Sequence, residues 1–139
     1  VSDLAEIAQH HGEELYALGR FDDARAAFQR SREVLDSLVV LDASYNVILR
    51  LSRTLSWLGR AQRKAGKGIE AIRSYERAIA LWRTLLRFPH APDAHEWLLH
   101  RLAACLLGLS KVHYLHGRKQ KAATYLQEAH DLIGGLSPK

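Results

Sequence analysis

The chain has no methionine and only one cysteine among its 139 residues. One cysteine cannot form an internal disulfide, so we expect a reducing, cytoplasmic compartment. No apolar run approaches the ~20 residues needed to cross a bilayer, and the polar start Val-Ser-Asp-Leu-Ala-Glu does not resemble a signal peptide. Apolar residues make up 47% of the chain, which excludes wholesale disorder. Because even position 1 is not methionine, we expect a piece of a longer protein.

Motifs for catalysis are missing as well. The sequence contains no glycine-rich phosphate loop, no nucleophile elbow and no His-Glu-x-x-His. Cys105 lies in the apolar run 102–107, which predicts a buried structural thiol rather than a nucleophile. His113 and His116 have a spacing that could share a metal ion, but no third ligand is identifiable. We therefore expect no catalytic residues, no metal site and no cofactor.

One pattern occurs in three copies along the chain. Each copy has a glycine, an alanine five residues later, a bulky residue four further on, and an alanine or serine three after that. The copies are Gly19/Ala24/Phe28/Ser31, Gly66/Ala71/Tyr75/Ala78 and Gly117/Ala122/Leu126/Ala129. Self-similarity at this spacing indicates stacked supersecondary units rather than a globular core with a cleft.

Apolar residues recur at spacings of three and four almost throughout, which predicts helices. Capping-box matches at Asp3-x-x-Glu6 and Asp93-x-x-Glu96 start the first and fifth helices. Prolines make residues 88–92 the one clear loop. We predict six helices that end near residues 17, 39, 65, 87, 115 and 133. No segment alternates with the period of a half-buried strand, so we predict an all-α fold of three antiparallel hairpins.

The residues seven positions before the three turn glycines are Gly12, Gly59 and Ser110. Antiparallel helices approach closely only where side chains are small. With these positions added, the pattern resembles the tetratricopeptide repeat (TPR) family, which has small residues at repeat positions 8, 20 and 27 and an aromatic residue at 24. The resemblance implies a TPR-like α-α superhelix. Its three repeats would span approximately residues 3–40, 43–88 and 93–134 of a single domain, 1–139.

The spacing between copies is longer than in the standard repeat. It is 47 residues and then 51, against 34 in the common TPR. The extra residues continue the helical pattern, so we expect longer helices rather than longer loops. This long form, with its Leu-Arg-Phe-Pro-x-x-Pro break, resembles repeat arrays attached to bacterial serine/threonine protein kinases and related multidomain signalling proteins. The resemblance implies a docking module within a larger bacterial protein.

In TPR proteins, the first helix of each hairpin lines a concave groove that binds a partner. Transferring those groove positions gives the partner-binding candidates Gln9, Glu13, Tyr16, Arg53, Ser56, Arg60, Lys64, Leu107, Lys111 and Tyr114. Guanidinium groups pair with carboxylates in bidentate geometry, so an acidic segment or a peptide C-terminus is the expected ligand. The paired asparagines with which some TPRs clamp a chaperone's terminal carboxylate are not present at these positions.

The formal charge of +5 is divided unevenly along the chain. Residues 1–42 carry a net charge of −5 and residues 43–139 a net charge of +10. Besides serving an acidic partner, the basic part could be solvated helix surface or could neutralise nucleic-acid phosphates. An apolar end face with no capping helix after Ile133 also suggests end-to-end homodimers. We expect a non-catalytic protein-protein interaction scaffold with no membrane partner, and keep nucleic-acid binding and self-association as alternatives.

Overall fold

Residues 2–90 and 92–134 are described by a computed structural model, and they form six α-helices. The helices are α1 (Ser2–Ala17), α2 (Phe21–Leu41), α3 (Tyr45–Lys64), α4 (Gly68–Leu86), α5 (Pro92–Leu115) and α6 (Lys119–Gly134). These residues include no strand, so the predicted all-α fold is confirmed. Within them, no helix combines the length and the apolar composition that crossing a bilayer requires.

Two of the helices begin two residues earlier than their capping boxes predict. Helix α1 begins at Ser2 and α5 at Pro92, so Asp3 and Asp93 lie inside the first turn and not at the capping position. A carboxylate in the first turn still stabilises a helix, because it faces the positive end of the helix dipole. The sequence also predicts that Gly134-Gly135 and Pro138 end the fold, but residues 135–138 lie outside the described residues.

Each hairpin turns on the same backbone motif. The turn glycines Gly19, Gly66 and Gly117 have φ of 78°, 79° and 79°, a left-handed conformation that only glycine adopts without strain. After Gly19, the backbone N–H of Arg20 bonds to the carbonyl of Leu15 at 2.9 Å, and the other two turns repeat this bond. These bonds satisfy carbonyls that a helix C-terminus otherwise leaves unpaired. The repeated glycine of the sequence therefore marks each turn.

The helices pack in chain order. Helices α1 and α2, α3 and α4, and α5 and α6 form antiparallel pairs, while α3 packs on α2 and α5 packs on α4. Smaller contacts join α1 to α3 and α3 to α5. Among the described helices, each hairpin thus contacts only its neighbours, as in repeat proteins that stack along one direction.

An aromatic ring in the second helix of a hairpin sets how closely the helices approach. A Cβ on Gly12 would lie 2.6 Å from the Phe28 ring, and a Cβ on Gly59 would lie 3.0 Å from the Tyr75 ring. Tyr75 also reaches the next hairpin, where a Cβ on Gly108 would lie 2.6 Å from its hydroxyl oxygen. The glycines are therefore required by the rings, which are buried between helices.

The two junctions between hairpins use this ring differently. At the first junction, Phe28 stacks on Trp57 with the ring centroids 5.7 Å apart. At the second junction, Tyr75 meets Gly108, which lies 51 residues after Trp57 and so occupies the equivalent position. The first junction thus pairs Phe28 with the large side chain of Trp57, whereas the second pairs Tyr75 with Gly108.

Inside the third hairpin, a histidine is buried in its neutral form. His113 stacks on Tyr125 at 5.6 Å, and Arg118 lies 3.1 Å from its Nδ1 atom. Since arginine can only donate, Nδ1 accepts and the ring proton is on Nε2, which is buried without a hydrogen-bond partner among the described residues. Burial lowers the pKa of His113, and the positive charges of Lys121 and Arg118 lower it further.

We predict that Gly108→Ala lowers the free energy of unfolding by about 1–3 kcal/mol, because the added methyl overlaps the ring of Tyr75. Denaturant unfolding measures the effect. In a Tyr75→Leu background, which carries the residue type of the third hairpin, the same change has no ring to displace. Gly108→Ala should therefore cost less there, and an equal cost in both backgrounds would contradict this packing.

We predict that stability falls on acidification partly through His113. Its lowered folded pKa means that the unfolded chain binds its proton first, so stability is complete above the ordinary value of 6.5 and is lost as pH falls from there toward the folded pKa. His113→Leu, which carries the residue of the equivalent position Leu15, removes this contribution. Its melting temperature should fall less than that of the wild type between about pH 7 and about pH 5. Parallel curves would contradict the assignment.

Candidate functional site

A cavity of about 360 Å³ lies between α3 and α5, the first helices of the second and third hairpins. We call it the central groove. Its cationic lining residues are Arg60, Arg63, Arg101 and Lys111. The remaining lining is apolar, aromatic or small and includes no carboxylate. A site of this composition attracts anions, because its lining contains no negative charge that would neutralise the four cations.

The cations of the central groove are not used in ion pairs within the described part of the chain. No carboxylate oxygen there lies within 4.0 Å of a side-chain nitrogen of Arg60, Arg63, Arg101 or Lys111. Other arginines on the second helices do pair: Arg77 bonds to Asp36 at 2.5 Å, and Arg83 pairs with Glu128. The basic side chains that line the groove therefore differ from Arg77 and Arg83, which form ion pairs between the second helices of neighbouring hairpins.

Aromatic side chains contact the two α3 arginines that line the central groove, Arg60 and Arg63. The guanidinium carbon of Arg60 lies 4.6 Å from the ring centroid of Trp57 and 5.1 Å from that of Tyr16. The ring quadrupole attracts a cation placed over its face, which orients the side chain while leaving the charge at the surface. Arg63 donates from Nε to the hydroxyl of Tyr75 at 3.3 Å. The groove therefore presents guanidinium groups whose positions are already restricted.

The floor of the central groove is a closed polar cluster. Ser56 donates its hydroxyl proton to the carbonyl of Ser52 at 2.8 Å and accepts the indole N–H of Trp82 at 2.9 Å. Its oxygen lies 3.1 Å from the sulfur of Cys105, and since the Ser56 proton is already used, the thiol is the donor. Burial raises the pKa of Cys105 and keeps it protonated at neutral pH. The predicted burial of Cys105 is confirmed.

The structure brings together four of the ten partner-binding candidates in the central groove. They are Ser56, Arg60, Leu107 and Lys111. Tyr16 lies beside this group. The guanidinium of Arg60 lies over its ring, and its ring centroid is 5.4 Å from that of Trp57 in an edge-to-face arrangement. Lys64 lies 5.9 Å from the ring of Phe21 and is not part of the lining.

Gln9, Glu13 and Arg53 lie elsewhere. Arg53 lines a separate cavity of about 260 Å³ between α1, α2 and α3. Gln9 is buried in the wall of the same cavity, where it accepts from Thr54 and donates to Glu13, each at 2.8 Å. The repeat pattern assigned Arg53 and Arg60 to one groove, but seven residues of helix span about 10 Å and the two arginines line different cavities.

Tyr114 lies at the end of the stack. It is 59% exposed and lines a third cavity of about 590 Å³ between α5 and α6. Leu107 and Lys111 stand on the border and line both this cavity and the central groove.

The candidates from the sequence did not include Arg101 or Trp57. Arg101 lies six residues before Leu107, the first candidate on α5, and extending the three- and four-residue spacing toward the start of α5 would have found it. Trp57 was not among the candidates, yet it lines the groove and its ring lies against the guanidinium of Arg60. In residues 2–90 and 92–134, no three His, Cys, Asp or Glu side chains lie close enough to share a metal ion.

No model of a known protein family matches the chain, and no curated protein sequence matches it. The tetratricopeptide resemblance therefore stays a prediction from the repeated residues.

We predict that Cys105 does not react with thiol reagents at neutral pH in the folded chain. Its raised pKa leaves little thiolate, and the side chain is buried against Ser56 and Trp82. Labelling with iodoacetamide should be at least about a hundredfold slower in buffer than in denaturant. Rapid labelling of a chain that remains fully helical by circular dichroism would contradict a closed floor.

Proposed function

We propose that the chain is a non-catalytic, TPR-like scaffold that binds an acidic segment of a partner protein in the central groove. The observation that carries the proposal is the set of Arg60, Arg63, Arg101 and Lys111, which face one cavity with no carboxylate in its lining. Bidentate pairing with carboxylates is the contact that arginine makes best. The resemblance adds the setting, a docking module of a larger bacterial cytoplasmic protein.

The dimensions of the groove suit a short segment. Arg60 and Arg63 are three residues apart and share one face of α3, with about 5 Å between their Cβ atoms. Arg101 and Lys111 are ten residues apart on α5, which corresponds to about 15 Å along the helix. An extended peptide covers that length with roughly four or five residues. Several carboxylates within such a segment would engage the cations together.

Pre-oriented cations favour this ligand. A flexible side chain loses rotamer freedom when it binds, at a cost of about 0.5–1.5 kcal/mol for each one immobilised. The contacts of Arg60 with Trp57 and Tyr16, and of Arg63 with Tyr75, restrict these side chains before any ligand arrives. Ligand binding therefore costs less side-chain conformational entropy, because Arg60 and Arg63 are already restricted in the folded chain.

Binding of single-stranded nucleic acid is the weaker candidate, although the basic groove would also attract phosphates. Such binding without sequence preference uses exposed aromatic faces on which bases stack. Tyr75 is buried, and Trp57 already contacts Phe28, Tyr16 and Arg60. The two aromatic side chains that line the groove are therefore engaged within the protein.

Selection of peptides from a random display library tests the proposal. On the wild-type chain, we expect enrichment of sequences with several aspartates and glutamates. Arg101→Glu/Lys111→Glu changes two exposed groove residues and should raise the dissociation constant of an enriched peptide by about tenfold or more, at least ~1.4 kcal/mol. Fluorescence anisotropy with the synthesised peptide measures this change.

The matched control is Arg30→Glu/Arg73→Glu, which makes the same change of net charge at exposed positions of α2 and α4. It should bind the peptide within about twofold of the wild type, because these residues lie outside the groove. Enrichment of sequences without carboxylates, or equal losses in both double variants, would reject the proposal. Tighter binding of random-sequence single-stranded RNA than of any selected peptide would favour the nucleic-acid alternative.

A further inference from the structure

The third hairpin exposes an apolar surface at the end of the stack. The cavity of about 590 Å³ between α5 and α6 is lined mainly by apolar side chains, with Arg63, Lys111 and Lys119 at its edge. We call it the terminal groove. Two of its lining residues, Leu115 and Leu126, are 77% and 40% exposed.

The corresponding surfaces of the first two hairpins are covered. Leu126 occupies the position of Phe28 and Tyr75 in the repeated pattern, and those two rings are fully buried. What buries them is the first helix of the next hairpin, α3 on the first and α5 on the second. The terminal groove is thus a third copy of a surface that twice receives a helix.

The opposite end of the stack exposes the complementary surface. Leu4 and Ile7 of α1 are 64% and 66% exposed. Counted from the turn glycines, Leu4 is equivalent to Leu51 and Leu102, and Ile7 to Thr54 and Cys105. All four of these equivalents are buried where α3 and α5 pack on the preceding hairpin. Helix α1 therefore carries a docking face without a hairpin before it among the described residues.

We infer that α1 of a second copy occupies the terminal groove, so that copies associate head to tail. The contact would continue the stacking that joins α3 to the first hairpin and α5 to the second. Two observations favour a second copy as the occupant.

The first observation is matched polarity at one position of the junction. In the first junction Thr54 donates to Gln9 at 2.8 Å, and in the second Cys105 lies 3.1 Å from Ser56. Both pairs join polar groups. The equivalent pair between copies is Ile7 with Leu107, and both are apolar. Thr54 and Cys105 thus each contact a polar residue of the preceding hairpin. Ile7, their exposed apolar equivalent, would contact the apolar Leu107 of a second copy.

The second observation is complementary charge. Helix α1 contains four acidic residues and no lysine or arginine. The terminal groove is lined by Arg63, Lys111 and Lys119 and by no acidic residue. Opposite charges on the two ends accelerate head-to-tail encounter and oppose contact between two like ends.

The α1 face is more polar than its buried equivalents, which predicts reversible association. His11 and Glu14 are exposed at the positions that hold Leu58 and Ala61 in α3. Because the two contacting surfaces are different, the interface is heterologous, and each added copy leaves one free end of each kind. Association should therefore continue beyond the dimer as the concentration rises.

Sedimentation velocity of the full chain over roughly a hundredfold range of concentration, up to about 1 mM, tests this inference. We expect the weight-average mass of the wild type to rise past that of a dimer. Ile7→Glu blocks the α1 face and Leu126→Glu blocks the terminal groove, so each single variant should associate at least about tenfold more weakly. Neither residue lines the central groove, so the outcome is independent of the proposed function.

Mixing the two variants gives the sharpest result. Ile7→Glu keeps an intact terminal groove and Leu126→Glu keeps an intact α1 face, so an equimolar mixture should form a dimer and nothing larger. Ile69→Glu is the matched control, because it places the same charge on an exposed residue of the middle hairpin and should associate like the wild type. Circular dichroism should show the same helical content for all variants as for the wild type, which checks that each variant is folded.

Three outcomes would overturn the inference. A wild-type chain that stays monomeric at the highest concentration leaves the groove for another occupant, such as a further hairpin of a longer chain. A mixture of the variants with no more dimer than either variant alone excludes the pairing of unlike ends. Association by Ile7→Glu that equals the wild type points to symmetric pairing of two terminal grooves.

Discussion

The structure depends on an aromatic ring packed against glycine. Tyr75 lies between Gly59 of its own hairpin and Gly108 of the next, so one side chain fixes both the spacing within a hairpin and the spacing between hairpins. Larger residues at either glycine would separate the helices, since well-packed interiors have no room for an added methyl. The central groove follows from this contact, because α3 and α5 form its two walls and the hydroxyl of Tyr75 holds Arg63 at its edge.

Local patterns were sufficient to predict the fold. The turn glycines, the alanines after them and the three-and-four spacing of apolar residues all act within a few residues, so the six helices and their ends could be read directly from the sequence. The site was harder, because it depends on which helix lies opposite each turn. Arg53 and Arg60 share one helix, yet Arg53 lines the cavity between α1, α2 and α3 and Arg60 lines the central groove between α3 and α5. Gln9 illustrates the same limit, since its burial depends on Thr54, which lies 45 residues away.

The same stacking rule connects the two surfaces of the molecule. Where the second and third hairpins meet, their first helices leave a groove between them, and four of its lining residues are cations. Where the stack ends, the surface that would receive a further helix is exposed. The proposed binding site and the inferred association surface are therefore two parts of one arrangement, and Arg63, Leu107 and Lys111 line both.

The buried hydrogen bonds of the first junction give the hairpins a fixed order. Thr54 donates to Gln9, so it must accept from Ser31, 3.1 Å away, and the amide N–H of Gln9 donates to the carboxylate of Glu13. Each hydrogen bond in this chain from Ser31 through Thr54 and Gln9 to Glu13 is donated in the same direction. The chain requires Ser31 on α2 and Gln9 on α1. The second junction has Ala78 and Ser56 at those positions. The three hairpins are thus alike in outline but not interchangeable, and a permuted chain with its hairpins reordered would lose the pairing of Thr54 with Gln9 and Ser31.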